Sequence, residues 1–358
     1  MCPNHLEQRR VASASFGYCG LCLSEREELL DAVLSRHVQY RCEQGLVGRV
    51  ADSGTTVCGE CANHCRLSDG EQGFCGLRSA VGQRIVERYP GKAIVYSYFD
   101  PLPTNCTAGE VCAVSKREST RQRPGGRNLA VFYGSCNSDC LYCQNESHFS
   151  MVRAGRPLVA PSELASAVGE STACVCFFGG DPSCNAQHSI ETSMLVRERW
   201  NIPICYETNG RISSKYLDRI SDIVIQSRGT LKIDLKAYSP RLYQALTGTS
   251  NQPVLRNFRY LASRGKYRDH EFLVASILLV PGYVGVIEVQ RLCSFIANCD
   301  CTIPTVLLGF YPHRHMLDLP STSRHHAYEC KRVAEDAGLT NVRIGNLHLL
   351  SDDRYDIS

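Results

Sequence analysis

The stretch "NLAVFYGSCNSDCLYC", residues 128–143, joins an apolar run to three closely spaced cysteines. The apolar run predicts a buried strand, and the cysteines follow on the loop that leaves it. A structural zinc ion takes four protein ligands and a disulfide takes two, so three thiols suit neither. They suit a [4Fe-4S] cluster in which cysteine holds three irons and the fourth iron is open. The candidate ligands are Cys136, Cys140 and Cys143.

Five further apolar runs follow this one, and amphipathic segments separate them. The six predicted strands are 128–133, 173–179, 202–207, 230–236, 271–280 and 303–310. Strands that are joined repeatedly through helices form a parallel sheet. The pattern therefore predicts an α/β fold with a partial (β/α)6 barrel, whose chemistry lies at the carboxyl ends of the strands.

The composition of the whole chain excludes several classes of protein. A net charge of +3 over 358 residues is too small to favour nucleic acid or an anionic membrane as a partner. The opening "MCPNHLEQRR" has no apolar segment of a secretory leader, and the most apolar stretch, 272–289, is broken by Pro281. We therefore expect a cytoplasmic protein without a membrane span. In a reducing compartment, 21 cysteines indicate metal or redox chemistry.

The cysteines and the strand pattern divide the chain into regions. The predicted regions are a helical and cysteine-containing part (1–50), a cysteine-rich part (51–114), a basic linker (115–127), the barrel (128–350) and a tail (351–358). The linker is rich in Pro, Gly and Ser, which favours a solvated connection over a binding patch. The fold class is therefore a barrel with a cysteine-rich N-terminal region that a metal stabilises.

A second set of thiols has the spacing C-x2-C-x3-C-x9-C within 58–75. Its members are Cys58, Cys61, Cys65 and Cys75. The segment has little apolar material for a core, so a shared metal is expected to hold it together. Four thiolates serve zinc and an iron-sulfur cluster alike, and both remain open at this point.

The loop "CNSDCLYC" resembles the signature of the radical SAM superfamily, in which the open iron chelates the amino and carboxylate groups of S-adenosylmethionine. The motif "FFGGDPS" resembles the family's glycine-rich motif, and "YETNG" and "IDLK" resemble the pyruvate formate-lyase-activating branch. This resemblance implies a set of cofactor-binding residues, with a monovalent cation as a further candidate beside the methionine carboxylate. They are Tyr142, Gly179, Gly180, Asp181, Glu207, Thr208, Asp234, Lys236 and, within "GFYPHRH", His313.

Over residues 55–350 the chain resembles the AmmeMemoRadiSam group, a set of activating-enzyme-like radical SAM proteins. The resemblance implies an oxidoreductase that cleaves S-adenosylmethionine to a 5′-deoxyadenosyl radical, with a flavodoxin- or ferredoxin-like protein as electron donor. The leading hypothesis is hydrogen abstraction from a bulky or protein substrate, including glycyl-radical activation, and the alternative is modification of a small molecule or lipid. Cys184, which follows the glycine-rich motif, is a candidate hydrogen-atom donor.

Cys19 and Cys22 in "YCGLC" form half of a third metal site. Cys2 and His5 can complete it as a zinc site with three thiolates and one imidazole, and Cys106 with Cys112 can complete it with four thiolates. The resemblance favours the second set, because "PTNC" with a second Cys recurs beside this N-terminal arrangement.

A hypothesis of another class is a zinc-rich module that binds RNA through the cysteine clusters and the basic linker. The small net charge argues against it. The motifs at the strand ends argue against it as well, because a binding module does not need them.

Overall fold

The computed structural model describes residues 1–102, 126–265 and 270–358. Among them, thirteen strands form one large sheet and two small hairpins. The strands are β1 (Thr56–Val57), β2 (Arg66–Leu67), β3 (Arg78–Val81), β4 (Arg84–Glu87), β5 (Ala93–Pro101), β6 (Arg127–Tyr133), β7 (Leu158–Val159), β8 (Thr172–Phe178), β9 (Ile204–Thr208), β10 (Leu231–Asp234), β11 (Leu273–Leu279), β12 (Thr305–Gly309) and β13 (Val342–Gly345).

The large sheet has the strand order β13-β12-β11-β10-β9-β8-β6-β5-β7. Its seven strands from β13 to β6 are all parallel, because a helix connects most of them and returns the chain to the same end. The predicted α/β class and the mainly parallel sheet are confirmed. The six predicted strands correspond to β6 and β8–β12, whereas β13 was not predicted.

The other edge of the sheet is antiparallel and was also not predicted. Strand β5 pairs along its length with β6, from Val95 opposite Tyr133 to Pro101 opposite Arg127. The two-residue strand β7 pairs with the beginning of β5. These two strands place the end of the cysteine-rich region directly beside the first barrel strand.

The helices cover one face of the sheet. Their bounds are Gly20–Glu25, Leu30–Glu43, Ser147–Ala154, Pro161–Ser166, Ala186–Arg199, Ser214–Gln226, Pro240–Thr247, Gln252–Gly265, Val286–Cys299 and Arg324–Asp336, with 3₁₀ turns at Glu27–Leu29, Pro182–Asn185 and Leu347–Leu349. Successive strand residues point to opposite faces, so Tyr133, Phe177 and Tyr206 share the helix-covered face and are almost fully buried there. None of the described helices is long and apolar enough to cross a membrane.

The N-terminal segment packs on loops that follow the late strands. The backbone N–H of Gly20 donates to the carbonyl of Gly282 at 2.7 Å, and that of Ser13 donates to the hydroxyl of Tyr283 at 2.8 Å. The hydroxyl of Ser13 also donates to the carboxylate of Asp318 at 2.8 Å. The first residues of the chain therefore lie against the carboxyl edge of the sheet, beside the predicted site.

Two predictions concern residues outside the described ranges. Residues 115–125 of the predicted linker lie there, as do Cys106 and Cys112. The strand that follows begins at Arg127, one residue before its predicted start.

Candidate active site and metal centres

The three-cysteine loop leaves the carboxyl end of β6 and is held against a helix by its backbone. The N–H of Asp139 donates to the carbonyl of Thr247 at 2.8 Å, and the N–H of Leu141 donates to the carbonyl of Leu246 at 3.1 Å. Both acceptors lie in the last turn of the helix Pro240–Thr247, whose final carbonyls have no partner within the helix. The loop therefore supplies hydrogen-bond donors to the last carbonyls of the helix, and these hydrogen bonds hold the loop in place.

Asp139, between the first two cysteines, is the centre of a buried charge network. Its carboxylate lies 2.7 Å from Nδ1 of His37 and 2.8 Å from the guanidinium of Arg314. Burial alone would raise the pKa of Asp139, but the hydrogen bond from His37 and the charge of Arg314 outweigh it and hold the pKa well below its usual range. This residue and both of its partners were missed from the sequence.

Arg314 also contacts the loop backbone directly. Its Nη1 donates to the carbonyl of Cys140 at 2.7 Å, and its guanidinium lies 4.3 Å from the centre of the Phe149 ring. Its backbone has φ of 52°, a left-handed conformation that costs free energy for a side chain other than glycine. The surrounding contacts therefore hold Arg314 over the cysteine loop.

Positive charge lies beside two of the three thiols. Burial raises the pKa of Cys140 to about 12, while the charge of Lys236 acts in the opposite direction. For Cys143 burial again raises the pKa, and the charge of Arg314 opposes it. An iron-sulfur cluster with three thiolates is anionic, so cations on two sides of the loop suit it.

The aromatic residue of the loop offers an unused polar group. Tyr142 is 3% exposed, and its hydroxyl is buried with no hydrogen-bond partner. Its ring centre lies 6.5 Å from that of Phe310 and 6.0 Å from Nζ of Lys236. A buried hydroxyl without a partner is costly, and a polar cofactor beside it would supply one. The residues of the loop thus fit the cluster and cofactor that the sequence predicted.

The glycine-rich motif packs so closely on β6 that only glycine fits. A Cβ on Gly179 would lie 2.1 Å from the ring of Phe132, and one on Gly180 would lie 2.2 Å from the carbonyl oxygen of Tyr133. Both glycines also have positive φ, at 65° and 49°. The motif is therefore locked against the strand that carries the cysteine loop.

Asp181 ties three strand ends together. Its buried carboxylate accepts from the N–H of Ser183 at 2.9 Å, the hydroxyl of Thr208 at 2.8 Å and the N–H of Asn209 at 2.7 Å. Its own N–H donates to the carbonyl of Ser135 at 2.7 Å. The short acidic side chain thus orders the ends of β8 and β9 around the loop that leaves β6.

Glu207 and Asp234 meet on one face of the sheet through a lysine that sequence reasoning missed. Nζ of Lys232 lies 2.8 Å from Glu207 and 3.2 Å from Asp234. Nζ of Lys236 lies 3.2 Å from Oδ2 of Asp234. The hydroxyl of Ser276 donates to Oδ1 of Asp234, the oxygen that Lys232 also contacts. Burial opposes the charged form of Lys232, yet the two carboxylates raise its pKa above the usual value. Two ammonium groups thus face the two carboxylates.

Thr208, which the sequence placed in the same cofactor-binding set, does not join this group. Its hydroxyl donates to Asp181 and accepts from the N–H of Gly210 at 3.2 Å. The reason is the alternation of a strand, since consecutive residues face opposite sides of the sheet. Glu207 pairs in register with Lys232, whereas Thr208 pairs with Ile233.

Two further candidates contact residues other than the three loop cysteines. The imidazole of His313 is 31% exposed and lies 3.7 Å from the carboxylate of Glu146. Cys184 is buried and packs in one cluster with Cys75 of the second thiol set. The structure therefore groups Cys184 with that set, which was not expected for a hydrogen-atom donor in the cofactor pocket.

The second thiol set is buried against the cysteine loop. Its four side chains come from the hairpin β1–β2 and the turn before β3, and each is 9% exposed or less: Cys58, Cys61, Cys65 and Cys75. The N–H of Cys58 donates to the carbonyl of Cys65 at 2.8 Å, and Cys61 forms a bridge to Ile212. The spacing prediction that these thiols act together is consistent with this arrangement.

At the N-terminus, Cys2, His5, Cys19 and Cys22 have their ligand atoms within 4.8 Å of one another. Nδ1 of His5 lies 3.6, 3.4 and 3.5 Å from the sulfurs of Cys2, Cys19 and Cys22, and the sulfurs of Cys2 and Cys22 are 3.8 Å apart. Sulfur atoms bound to one tetrahedral ion at about 2.3 Å stand about 3.8 Å apart. The set can therefore hold one metal ion, and it is the completion that the sequence offered as the alternative to Cys106 and Cys112, which lie outside the described residues.

Comparison with known proteins identifies the domain. Residues 130–285 match the Radical SAM superfamily. Over 308 residues the chain is 23% identical to an uncharacterized protein of Methanocaldococcus jannaschii, and the match covers 83% of each chain.

Several solved structures are similar to parts of the chain. A domain of a pyruvate-formate lyase-activating enzyme from Bacteroides vulgatus is 19% identical with a TM-score of 0.40, and the match covers 48% of this chain and 98% of that domain. A radical SAM methyltransferase from Sphaerobacter thermophilus is 15% identical with a TM-score of 0.46, over 62% and 67% of the two chains. Streptococcus suis SuiB bound to S-adenosylmethionine is 15% identical with a TM-score of 0.45, over 62% and 51%.

Proposed function

We propose, from the premise that residues 130–285 form a radical SAM domain and that the chain is an enzyme, that it abstracts a hydrogen atom from a bulky substrate such as a protein. The observation that carries the proposal is the three-thiol loop at the end of β6, with Lys236 and Arg314 beside its cysteines. A non-catalytic RNA-binding module has no use for this arrangement.

In this proposal Cys136, Cys140 and Cys143 would hold a [4Fe-4S] cluster beside S-adenosylmethionine. When bound, the cluster would supply the single electron for reductive cleavage of the cofactor to methionine, and the cleaved cofactor would take the hydrogen atom from the substrate. The protein keeps the loop rigid through Asp139 and excludes water with the buried Tyr142. The unpaired Tyr142 hydroxyl would donate to the cofactor.

The lysines on β10 and after it would bind the cofactor's methionine carboxylate. Lys236 lies between the carboxylate of Asp234 and the aromatic ring of Tyr142, which places its ammonium on the side of the cysteine loop. An ammonium held in this way attracts a carboxylate without moving, so little free energy is lost on ordering it. Asp234 is thus a positioning residue in the proposal.

Replacing Asp234 tests this arrangement. In Asp234→Ala, Lys236 loses its acidic partner, and we expect the Kd for S-adenosylmethionine to rise roughly tenfold, which is about 1.4 kcal/mol. Iron content should stay at the wild-type value, because the Asp234 carboxylate bonds to Lys232, Lys236 and Ser276 and not to the cysteine loop. The measurement is equilibrium binding of the cofactor to the reconstituted protein, with iron analysis of the same sample. An unchanged Kd would contradict the assignment, and Asp336→Ala, which removes an exposed ion pair, is the control.

A bulky substrate is favoured by aromatic side chains on the same edge of the sheet. Tyr238 follows β10 and is 38% exposed, and Tyr311 follows β12 and is 52% exposed. Exposed tyrosines are enriched where proteins bind other macromolecules. Together they would give a macromolecule a contact area around the opening to the cluster.

The substrate class can be tested by isotope transfer. Cells grown in deuterated medium supply an extract that dialysis divides into macromolecules and small molecules, and each fraction is incubated with reduced enzyme and S-adenosylmethionine. We expect deuterium in 5′-deoxyadenosine with the macromolecular fraction. Deuterium transfer from the dialysable fraction alone would contradict a bulky substrate and favour a small molecule.

We propose zinc as the ion of the Cys2, His5, Cys19 and Cys22 set, since three thiolates and one imidazole at tetrahedral spacing suit it. Cys19→Ser should lose about one zinc per chain, and the segment before residue 25 should become sensitive to protease. Zinc analysis and limited proteolysis measure the two effects. Cys42→Ser, at an exposed cysteine, is the control. Full zinc content in the Cys19 variant would contradict the site.

A further inference from the structure

The second thiol set is not arranged like the N-terminal one. Among the described residues, only the N-terminal set places three or more ligand atoms within 4.8 Å of one another. A single zinc ion requires that close spacing, because all of its ligands bind one centre. In a [4Fe-4S] cluster each thiolate binds a different iron, so the sulfurs stand further apart. No three of Cys58, Cys61, Cys65 and Cys75 meet that 4.8 Å limit, which favours a cluster over one ion.

Hydrogen bonds join this set to the radical SAM loop on both sides of Cys136. The hydroxyl of Ser135, the residue before it, donates to the carbonyl of Cys75 at 2.8 Å. Nδ2 of Asn63, which lies between Cys61 and Cys65, donates to the carbonyl of Asn137, the residue after Cys136, at 3.0 Å. Each contact is a single hydrogen bond between the segment of the second thiol set and a chain neighbour of Cys136.

A third route runs through Asn209. Its Nδ2 donates to Oδ1 of Asn137 at 2.8 Å and lies 3.8 Å from the sulfur of Cys136. Asn137 and Asn209 thus link the segment of the second thiol set to the sulfur of Cys136. Polar groups that face cluster sulfurs also tune a cluster's potential.

We propose that Cys58, Cys61, Cys65 and Cys75 hold a second [4Fe-4S] cluster that passes single electrons to the cluster on Cys136, Cys140 and Cys143. The second cluster accepts one electron from a flavodoxin- or ferredoxin-class donor and is reduced, and it is reoxidised when it reduces the first cluster. In this proposal Cys184, which packs in one buried cluster with Cys75, is not a ligand. The relay rests on the proposed function, whereas the existence of the second cluster does not.

The test for the cluster is metal content of the full-length chain after anaerobic reconstitution with iron and sulfide. We expect about eight iron and eight sulfide per chain in the wild type. The triple variant Cys136→Ala, Cys140→Ala, Cys143→Ala should keep about four of each and still show the electron paramagnetic resonance signal of a reduced cluster. A triple variant without iron, or one that binds a second zinc per chain in place of iron, would overturn the proposal.

A ligand variant gives the complementary result. Cys61→Ser should keep about four iron and the spectral change that S-adenosylmethionine causes at the first cluster. Cys330→Ser, at a buried cysteine on a remote helix, should keep the full content. If Cys61→Ser does not fold, the iron count of the wild type and of the triple variant decides the matter alone.

The relay is tested by comparing electron sources. With reduced flavodoxin as donor, we expect Cys61→Ser to form 5′-deoxyadenosine at least tenfold more slowly than the wild type. With dithionite, a small reductant that can reach the first cluster directly, the two rates should agree within twofold. Equal rates with both donors would overturn the relay. Wild-type protein that contains both clusters but cleaves no cofactor would overturn the proposed function and leave the second cluster standing.

Discussion

Cys140→Ala should contain no iron at the first cluster and should form 5′-deoxyadenosine only at the rate of a reaction without enzyme. Two thiolates cannot hold a cluster that needs three ligands and keeps one iron open. Arg314, whose side chain holds the carbonyl of residue 140, would keep the loop folded, so the loss is chemical and not structural. The measurement is chromatographic detection of 5′-deoxyadenosine from anaerobic, reduced protein.

The matched control for this variant is Cys330→Ala. Cys330 is as buried as a residue can be, on the helix Arg324–Asp336, and it lies in the hydrophobic core away from the cysteine loop. The Cys330→Ala variant should cleave S-adenosylmethionine at the wild-type rate. Cofactor cleavage at the wild-type rate by Cys140→Ala would show that the cluster is held elsewhere.

Asp139→Ala should lower the free energy of unfolding by about 3–5 kcal/mol. The substitution leaves the guanidinium of Arg314 and the imidazole of His37 buried without their acidic partner, and burying an unpaired charge is costly. Urea denaturation under anaerobic conditions measures the change. Arg332→Ala, which removes two exposed ion pairs, is the control and should change stability by less than about 1 kcal/mol.

The stability difference between the wild type and Asp139→Ala has a defined pH dependence. Because the pKa of Asp139 is lowered in the folded state, its contribution is fully present above the pKa of an unfolded aspartate and is lost as the pH falls further. The stability difference between wild type and Asp139→Ala should therefore be constant from neutral pH to about pH 4 and should shrink below it. A difference that shrinks already between pH 7 and pH 5 would assign the effect to another group.

The central sheet could be predicted because its strands are apolar on both faces and short helices separate them. Strand β13 was missed because its residues are only partly buried at the edge of the sheet, so "NVRIGN" has no continuous apolar run. Strand β5 mixes polar with apolar residues because it is antiparallel to β6 and exposed along part of its length. Local patterns predict strands that are buried on both faces better than strands at an edge.

Spacing suggests the candidate ligands, but it does not indicate the residues that support the cysteine loop. Arg314 and His37 reach Asp139 from 175 and 102 residues away, and nothing in their local sequence indicates this. Lys232 could have been found, because a residue two before Asp234 on a strand faces the same side. At the N-terminal metal site, Cys2 with His5 and Cys106 with Cys112 offer equally suitable ligands. Which pair completes the site depends on the residues that the fold brings together, and the local sequence does not show this.

The docking of the N-terminal segment on the loop after β11 sets an order of events during synthesis. Ser13 leaves the ribosome 270 residues before Tyr283, the residue that its N–H binds, and His37 leaves 208 residues before Ala245. Contacts over such sequence distances form late and slow the folding of a domain. The segment with Ser13 and His37 is therefore synthesised before its partners and docks last. Until His37 reaches Asp139, that side of the cysteine loop is uncovered, and the proposed cluster would be inserted from there.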